Sequence, residues 1–180
     1  MTQSGIPTLG FVACSNTGKT TLLARILPLL TDRGWRVAVI KHAPHGFDID
    51  RPGKDSFKLR QAGATQTLIG SQKQWVLMTE VSSPPGLNEL LQCLHQDRID
   101  CVLVEGFKHE PFPKIELYRP ALGHPLLCTD DASIVAVASD GPLPVDPKLP
   151  ILDLNKPEEV ADFVAARLFG LRPEAAQDSK

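Results

Sequence analysis

The chain has 180 residues, 42% of them hydrophobic, which is enough for one well-buried core and short for two. Its 19 Lys and Arg against 21 Asp and Glu leave a formal charge of −2, which speaks against a nucleic-acid-binding face, where basic residues would gather. No stretch approaches the roughly 20 apolar residues of a membrane span, Met1 to Thr8 lack the features of a signal peptide, and Cys14, Cys93, Cys101 and Cys128 stand alone without a metal-binding spacing, so a cytoplasmic, reduced setting is expected.

In chain order, the apolar run Leu9 to Ala13 reads as a strand ending in a polar turn. Thr20 to Leu30, with apolar Leu22, Leu23, Ile26, Leu27 and Leu30, reads as a helix. Pro28 should kink that helix or end it early, and Gly34 closes it. The β-branched Arg36 to Lys41 completes a strand–helix–strand unit with parallel strands. His42 to Lys54 is too rich in Pro, Gly, His and Asp for regular structure, and a loop of that length in a compact domain is usually functional. Asp55 to Gly63 reads as a short helix capped by Asp55. Thr67 to Ile69 and Trp75 to Thr79 read as a hairpin, followed by a helix from Leu87 to His95. Cys101 to Val104 has the unbroken apolar character of a central parallel strand and stops at Glu105 and Gly106. Lys114 to Tyr118, Ile134 to Ala138 and Ile151 to Leu154 supply further strands. Pro157 to Phe169 reads as a closing helix, and Arg172 to Lys180 as a loose tail. The expected fold is α/β: a three-layer P-loop sandwich with a mostly parallel sheet and an added β-hairpin, one domain over residues 1–170 with a tail over 171–180.

The motif behind that expectation is Ala13-Cys14-Ser15-Asn16-Thr17-Gly18-Lys19-Thr20, a match to GxxxxGK[ST] with Ala for the first Gly. It follows a strand and opens a helix, the setting in which backbone N–H groups and the helix N-terminus hold phosphates. Gly18 permits close approach, Lys19 brings positive charge to the β- and γ-phosphates, the Thr20 hydroxyl is suited to Mg²⁺, and Thr21 adds a contact to the α-phosphate. A GKT that merely starts a helix is the bland alternative. Glu105, where open α/β sheets form their ligand crevice, is the candidate second Mg²⁺ ligand, or else a carboxylate capping the Gly106 turn. Asp100, at the opposite end of that strand, is poorly placed. Lys19 and Glu105 are thus the candidates for catalysis, and Thr20 and Glu105 for the metal.

The loop after the second strand gathers Lys41, His42, His45, Asp48, Asp50, Lys54 and Asp55. It would position magnesium, water or an anion, or it is a solvated loop in which Asp48 and Asp50 pair with Arg51 and Lys54. For base selection, Asn155-Lys156-Pro157-Glu158 only approaches NKxD and reads better as a helix start capped by Asn155. Asp140 is the other candidate, its carboxylate accepting from the ring N–H and amino group of guanine; an ordinary turn before Gly141-Pro142 is the alternative.

Taken together, FVACSNTGKTTLL, VIKHAPHGFDIDRPGKDSFKLRQAGA, LVEGFKHE and KIELYR resemble, in order and spacing, the molybdopterin-guanine dinucleotide biosynthesis protein B (MobB) family, from about Pro7 to Leu168. The resemblance implies a GTP-binding homodimer with at most weak GTPase activity, an adapter to the guanylyltransferase that attaches GMP to molybdopterin, and contact with molybdopterin itself is a further possibility it leaves open. It places nucleotide on Ser15, Asn16, Thr17, Gly18, Lys19, Thr20 and Thr21, Mg²⁺ near Glu105, and Asp50, Lys54 and Asp55 along the site. Lys114 and Arg119 would help form an anion site or a dimer contact. Two other readings stay open on the residues alone: an ATP-dependent phosphotransferase or ligase of the same fold, and a metallochaperone GTPase using His42, His45 and His109.

Overall fold

A computed structural model describes residues 5–43, 46 and 49–170. The described residues form two compact units, a larger one reaching His42 and resuming at Leu87, and a smaller one over Ala43–Gly86. The predicted tail, and Pro44, His45, Phe47 and Asp48 of the polar loop, lie outside the described residues.

The larger unit is built on a six-stranded sheet, all of whose strand pairs are parallel. Its strands are β1 (Thr8–Val12), β2 (Val37–Lys41), β5 (Cys101–Glu105), β6 (Lys114–Tyr118), β7 (Ile134–Ser139) and β8 (Ile151–Asp153), in the spatial order β2-β5-β1-β6-β7-β8. Side chains alternate between faces along each strand. Leu9 and Phe11 of β1, Leu103 of β5 and Ile115 and Leu117 of β6 pack with Leu22, Leu23, Ile26 and Leu30 of helix α1 (Lys19–Thr31) and with Val160, Ala161 and Val164 of helix α4 (Pro157–Phe169). The alternate β5 residues, Val102 and Val104, pack with Leu87 and Leu91 of helix α3 (Leu87–Gln92) and with Phe107 and Phe112. Helices therefore cover both faces, which is why β1, β5 and β6 are buried along their whole length. Gly10 is required on the α3 face: a Cβ there would lie 2.7 Å from both Lys114 Cγ and a Phe112 ring carbon.

The smaller unit holds helix α2 (Asp55–Gln61) and the antiparallel pair β3 (Gln66–Gly70) and β4 (Trp75–Thr79).

Four local expectations need correction. Helix α1 runs through Pro28 to Thr31. The proline stands in the last turn, where it deletes one bond, and the fully buried Leu30 beyond it holds the turn on the core. Asp55 is the first helical residue of α2, not its cap, and its carboxylate accepts from Lys58 3.2 Å away. The helix begun at Leu87 ends at Gln92, because Cys93 and Leu94 donate to Leu90 and Leu91, three residues back, and tighten the turn. Asn155 does not cap α4; Lys156 holds the N-cap position with Pro157 following it, and Glu159 folds back to accept from the Asp153 N–H.

Candidate functional site

From β1 the chain builds β2 and β5 on one side of the sheet and then crosses from β5 to β6, β7 and β8 on the other, so the strand order reverses at β1. In open parallel sheets the crevice at the carboxyl ends beside such a reversal is where ligands bind. In this chain that edge carries the P-loop motif after β1, Lys41 at the end of β2, Glu105 at the end of β5, Arg119 after β6 and Asp140 after β7.

The P-loop motif runs from β1 into α1 with positive φ at Asn16 (62°) and Gly18 (99°). Asn tolerates that region better than most residues, and glycine adopts it freely. Thr17 is buried and donates through Oγ1 to the Cys14 carbonyl at 2.9 Å, bracing the turn from within. The Lys19 Nζ lies 3.2 Å from the Cys14 carbonyl and 3.4 Å from that of Ala13, folded over the loop at the position of the missing first glycine. Burial holds its pKa below the ordinary lysine range; the Glu105 carboxylate opposes this, while Lys108 and Lys41 reinforce it. An ammonium so placed gains from any anion that enters the loop.

Glu105 is 8% exposed. Its Oε1 accepts from the Thr20 hydroxyl at 2.7 Å, and the Lys41 ammonium lies 3.3 Å from the same oxygen and 3.1 Å from the Thr20 hydroxyl oxygen. The three side chains converge because Lys41 is in register with Glu105 on neighbouring strands and Thr20 begins the helix that follows β1. Gly106 makes the turn after Glu105 with φ of 102°, its N–H donating to Phe11 and a Cβ there falling 2.9 Å from His42 Cβ. His42 is stacked on Phe107 at 4.5 Å between ring centroids. A hydroxyl and a carboxylate are the hard oxygen donors that Mg²⁺ takes alongside phosphate and water, so the residues present fit that ion.

On the other side of the loop, Arg119 donates through Nε to the Thr17 carbonyl at 2.8 Å and is paired through Nη1 with Asp140. The guanidinium ties the P-loop to the end of β7 and fixes Asp140 beside it. Lys114 does not share this role. It is 1% exposed and donates to the carbonyls of Lys108 and Glu110 and to Asp131, which makes it a core brace of the β5–β6 connection rather than part of an anion site or dimer contact.

In the smaller unit, the Asp50 carboxylate accepts from Ser56 Oγ at 2.9 Å and from Arg60 at 3.4 Å, in place of the Arg51 and Lys54 partners the sequence offered. Asp55 is almost fully exposed, and Lys54 precedes α2 with its backbone N–H donating to Arg51. Among the described residues no three His, Cys, Asp or Glu side chains converge to hold a metal ion, and no helix is long and apolar enough to cross a membrane. Sequence reasoning had grouped Lys41 with the polar loop that follows. Its link to Glu105 depends on β2 and β5 being neighbours, although about sixty residues separate them in the chain.

Residues 8–140 match the family model described as Molybdopterin guanine dinucleotide synthesis protein B. The chain is 48% identical over 162 residues to the molybdopterin-guanine dinucleotide biosynthesis adapter protein of Escherichia coli K12, covering 88% of this chain and 91% of that protein. It is 43% identical over 159 residues to the adapter protein of the same description from Haemophilus influenzae, covering 88% of each. Among solved structures, a crystal structure of Bacillus subtilis MobB aligns with a TM-score of 0.74 at 27% identity, over 92% of this chain and all of that one. A crystal structure of molybdopterin-guanine biosynthesis protein B aligns with a TM-score of 0.70 at 26% identity, over 88% and 98%.

Proposed function

The chain belongs to the molybdopterin guanine dinucleotide synthesis protein B family, and from that premise we propose that it is a GTP-binding adapter with at most weak GTPase activity. It would act in molybdenum cofactor biosynthesis, serving the guanylyltransferase that joins GMP to molybdopterin. The observation that carries this reading is the convergence at the sheet edge of a phosphate-binding turn, Lys19 and the Thr20–Glu105 pair.

In this reading, the turn from Ser15 to Thr21 presents backbone N–H groups to the phosphates at the positive end of α1. Lys19 exchanges its two backbone carbonyl acceptors for the β- and γ-phosphates. Thr20 and Glu105 would hold Mg²⁺, which would neutralise phosphate charge there. Asp140 reads guanine through its ring N–H and amino group; each carboxylate oxygen has two acceptor sites, so the bond to Arg119 can persist. Arg119 is engaged with the Thr17 carbonyl and Asp140, which favours slow hydrolysis over a role as an arginine finger. Asp50, Lys54 and Asp55 are assigned to the same site through the family pattern. The protein is taken to work in the cytoplasm as a homodimer.

Calorimetric titration with GTP and with ATP, each with Mg²⁺, tests the reading on the wild-type chain and Lys19→Ala. GTP should bind, ATP should bind at least about tenfold more weakly, and Lys19→Ala should lose GTP by a further factor of 100 or so, the range of a lost charge-assisted contact to phosphate. Preference for ATP would move the assignment to a phosphotransferase, and binding of neither would remove the nucleotide site. The adapter role is checked separately, by adding the chain to purified guanylyltransferase with molybdopterin and GTP and measuring the dinucleotide formed.

A further inference from the structure

The two oxygens assigned to Mg²⁺ already share a positive charge. The Lys41 ammonium sits 3.1 Å from Thr20 Oγ1 and 3.3 Å from Glu105 Oε1, while Thr20 donates its own proton to Glu105 at 2.7 Å. Those are ordinary ammonium–oxygen distances. Mg²⁺ needs the same oxygens at about 2.0–2.1 Å or through a bound water, and a divalent ion cannot share so small a gap with an ammonium. One cation has to leave before the other enters.

The partners differ in how freely they part. The Glu105 side chain is 10% exposed, so leaving it without a counter-charge is costly, whereas the Lys41 side chain is 55% exposed and can swing on its flexible stem into water. Register with Glu105 across the parallel β2–β5 pair sets the Lys41 backbone beside this pair, within reach of its flexible side chain. From these distances and this asymmetry we infer that Lys41 is a displaceable placeholder for the divalent cation, closing the Thr20–Glu105 pair until a nucleoside triphosphate draws the ammonium away.

This inference rests on the reading of Thr20 and Glu105 as the metal pair. Its consequence is ordered entry. Without nucleotide, the metal must displace Lys41 from both oxygens into water, with no anion to receive its charge. With nucleotide, the phosphates accept Lys41 and add ligands to the metal, so each ligand tightens the other by the same factor.

Mn²⁺ serves as the probe, followed by electron paramagnetic resonance on the full chain with and without GTP, for wild type, Lys41→Met, Lys41→Arg and Glu105→Gln. Wild type should take up Mn²⁺ weakly alone and much more tightly with GTP. Lys41→Met should bind Mn²⁺ without nucleotide about tenfold more tightly than wild type, within the usual span of coupling factors, and gain less from GTP. Lys41→Arg, which keeps the charge, should behave as wild type. If Lys41→Met binds Mn²⁺ alone no better than wild type while GTP still recruits Mn²⁺ and Glu105→Gln weakens that recruitment, the placeholder is overturned and the metal site stands. If GTP recruits no Mn²⁺ to the wild-type chain, or Glu105→Gln leaves recruitment unchanged, the metal-site reading falls and the placeholder with it.

Discussion

At Gly106 the demands on one residue are sharp enough to forecast a variant. Its φ of 102° is left-handed and an added Cβ would press His42 Cβ at 2.9 Å, and neither the backbone nor a first side-chain carbon can yield cheaply. Gly106→Ala should therefore cost about 2–3 kcal/mol in urea unfolding, from strain of 1–3 kcal/mol plus displacement of the His42–Phe107 stack. Gly70→Ala, where φ is not positive and nothing lies within 4 Å, should stay within about 0.5 kcal/mol of wild type. Equal effects at both glycines would show that the turn after Glu105 is not constrained as described. Residues whose role is local were legible from sequence for the same reason: Gly18, Lys19 and Thr20 lie in one contiguous motif between a strand and a helix, and Glu105 ends the most apolar run. Arg119 entered through the family resemblance and Lys41 as part of the polar loop, and the side chains each one meets could not be read from the chain. Arg119 meets Thr17 across 102 residues, and a spacing of that size leaves no periodic trace in the chain. Lys114 was grouped with Arg119 through the KIELYR resemblance, yet here three acceptors satisfy it inside the core, a burial that lysine rarely shows.

Strands and helices were mostly readable, since burial on both faces imposes unbroken apolar runs on β1 and β5, and single-face packing imposes the helical period on α1. Their ends were less so. Caps and turns depend on which side chain finds an acceptor, as at Asp55 and Asn155, where the expected bonds were not made. One such end bond has a measurable consequence. Arg36, just before β2, and Asp100, just before β5, join the starts of the two neighbouring strands: the Arg36 N–H and guanidinium both donate to the Asp100 carboxylate, and the Asp100 N–H returns to the Arg36 carbonyl. The Arg36 side chain, followed by its backbone N–H, pulls the Asp100 carboxyl from 3.8 down to about 2. A carboxyl with a lower pKa folded than unfolded contributes stability above the unfolded value, and that contribution fades as pH falls through the folded value. Wild-type melting temperature should thus drop between pH 4 and pH 2 more steeply than that of Asp100→Asn, which lacks this titration. Parallel slopes would mean the staple does not hold the sheet edge.

The whole molecule poses a question that neither its motif nor its sheet answers. Strand order could not be read from the chain, because placing β5 between β2 and β1 is a choice among non-local pairings that alternation along single strands does not encode. The same holds for the smaller unit, recognisable as a hairpin but not by what covers it. Register pairs Leu68 with Leu77 and Gly70 with Trp75, so these side chains share one face of the ribbon, and Leu68, Trp75 and Leu77 are 65%, 53% and 49% exposed. A two-stranded ribbon is marginal on its own, and clustered exposed apolar side chains mark contact surfaces on soluble proteins. A second copy of the chain is the occupant the homodimer proposal supplies. Replacing Leu68 and Leu77 together by Lys should convert a sedimenting dimer into a monomer while GTP binding by calorimetry stays within about twofold, since the altered face carries none of the P-loop residues and surface changes of this kind rarely exceed about 0.5 kcal/mol elsewhere. A wild-type chain that sediments as a monomer at tens of micromolar, or a double variant that remains dimeric, would detach this face from self-association. Loss of GTP binding along with the dimer would instead mean that the nucleotide site is completed only when two copies meet.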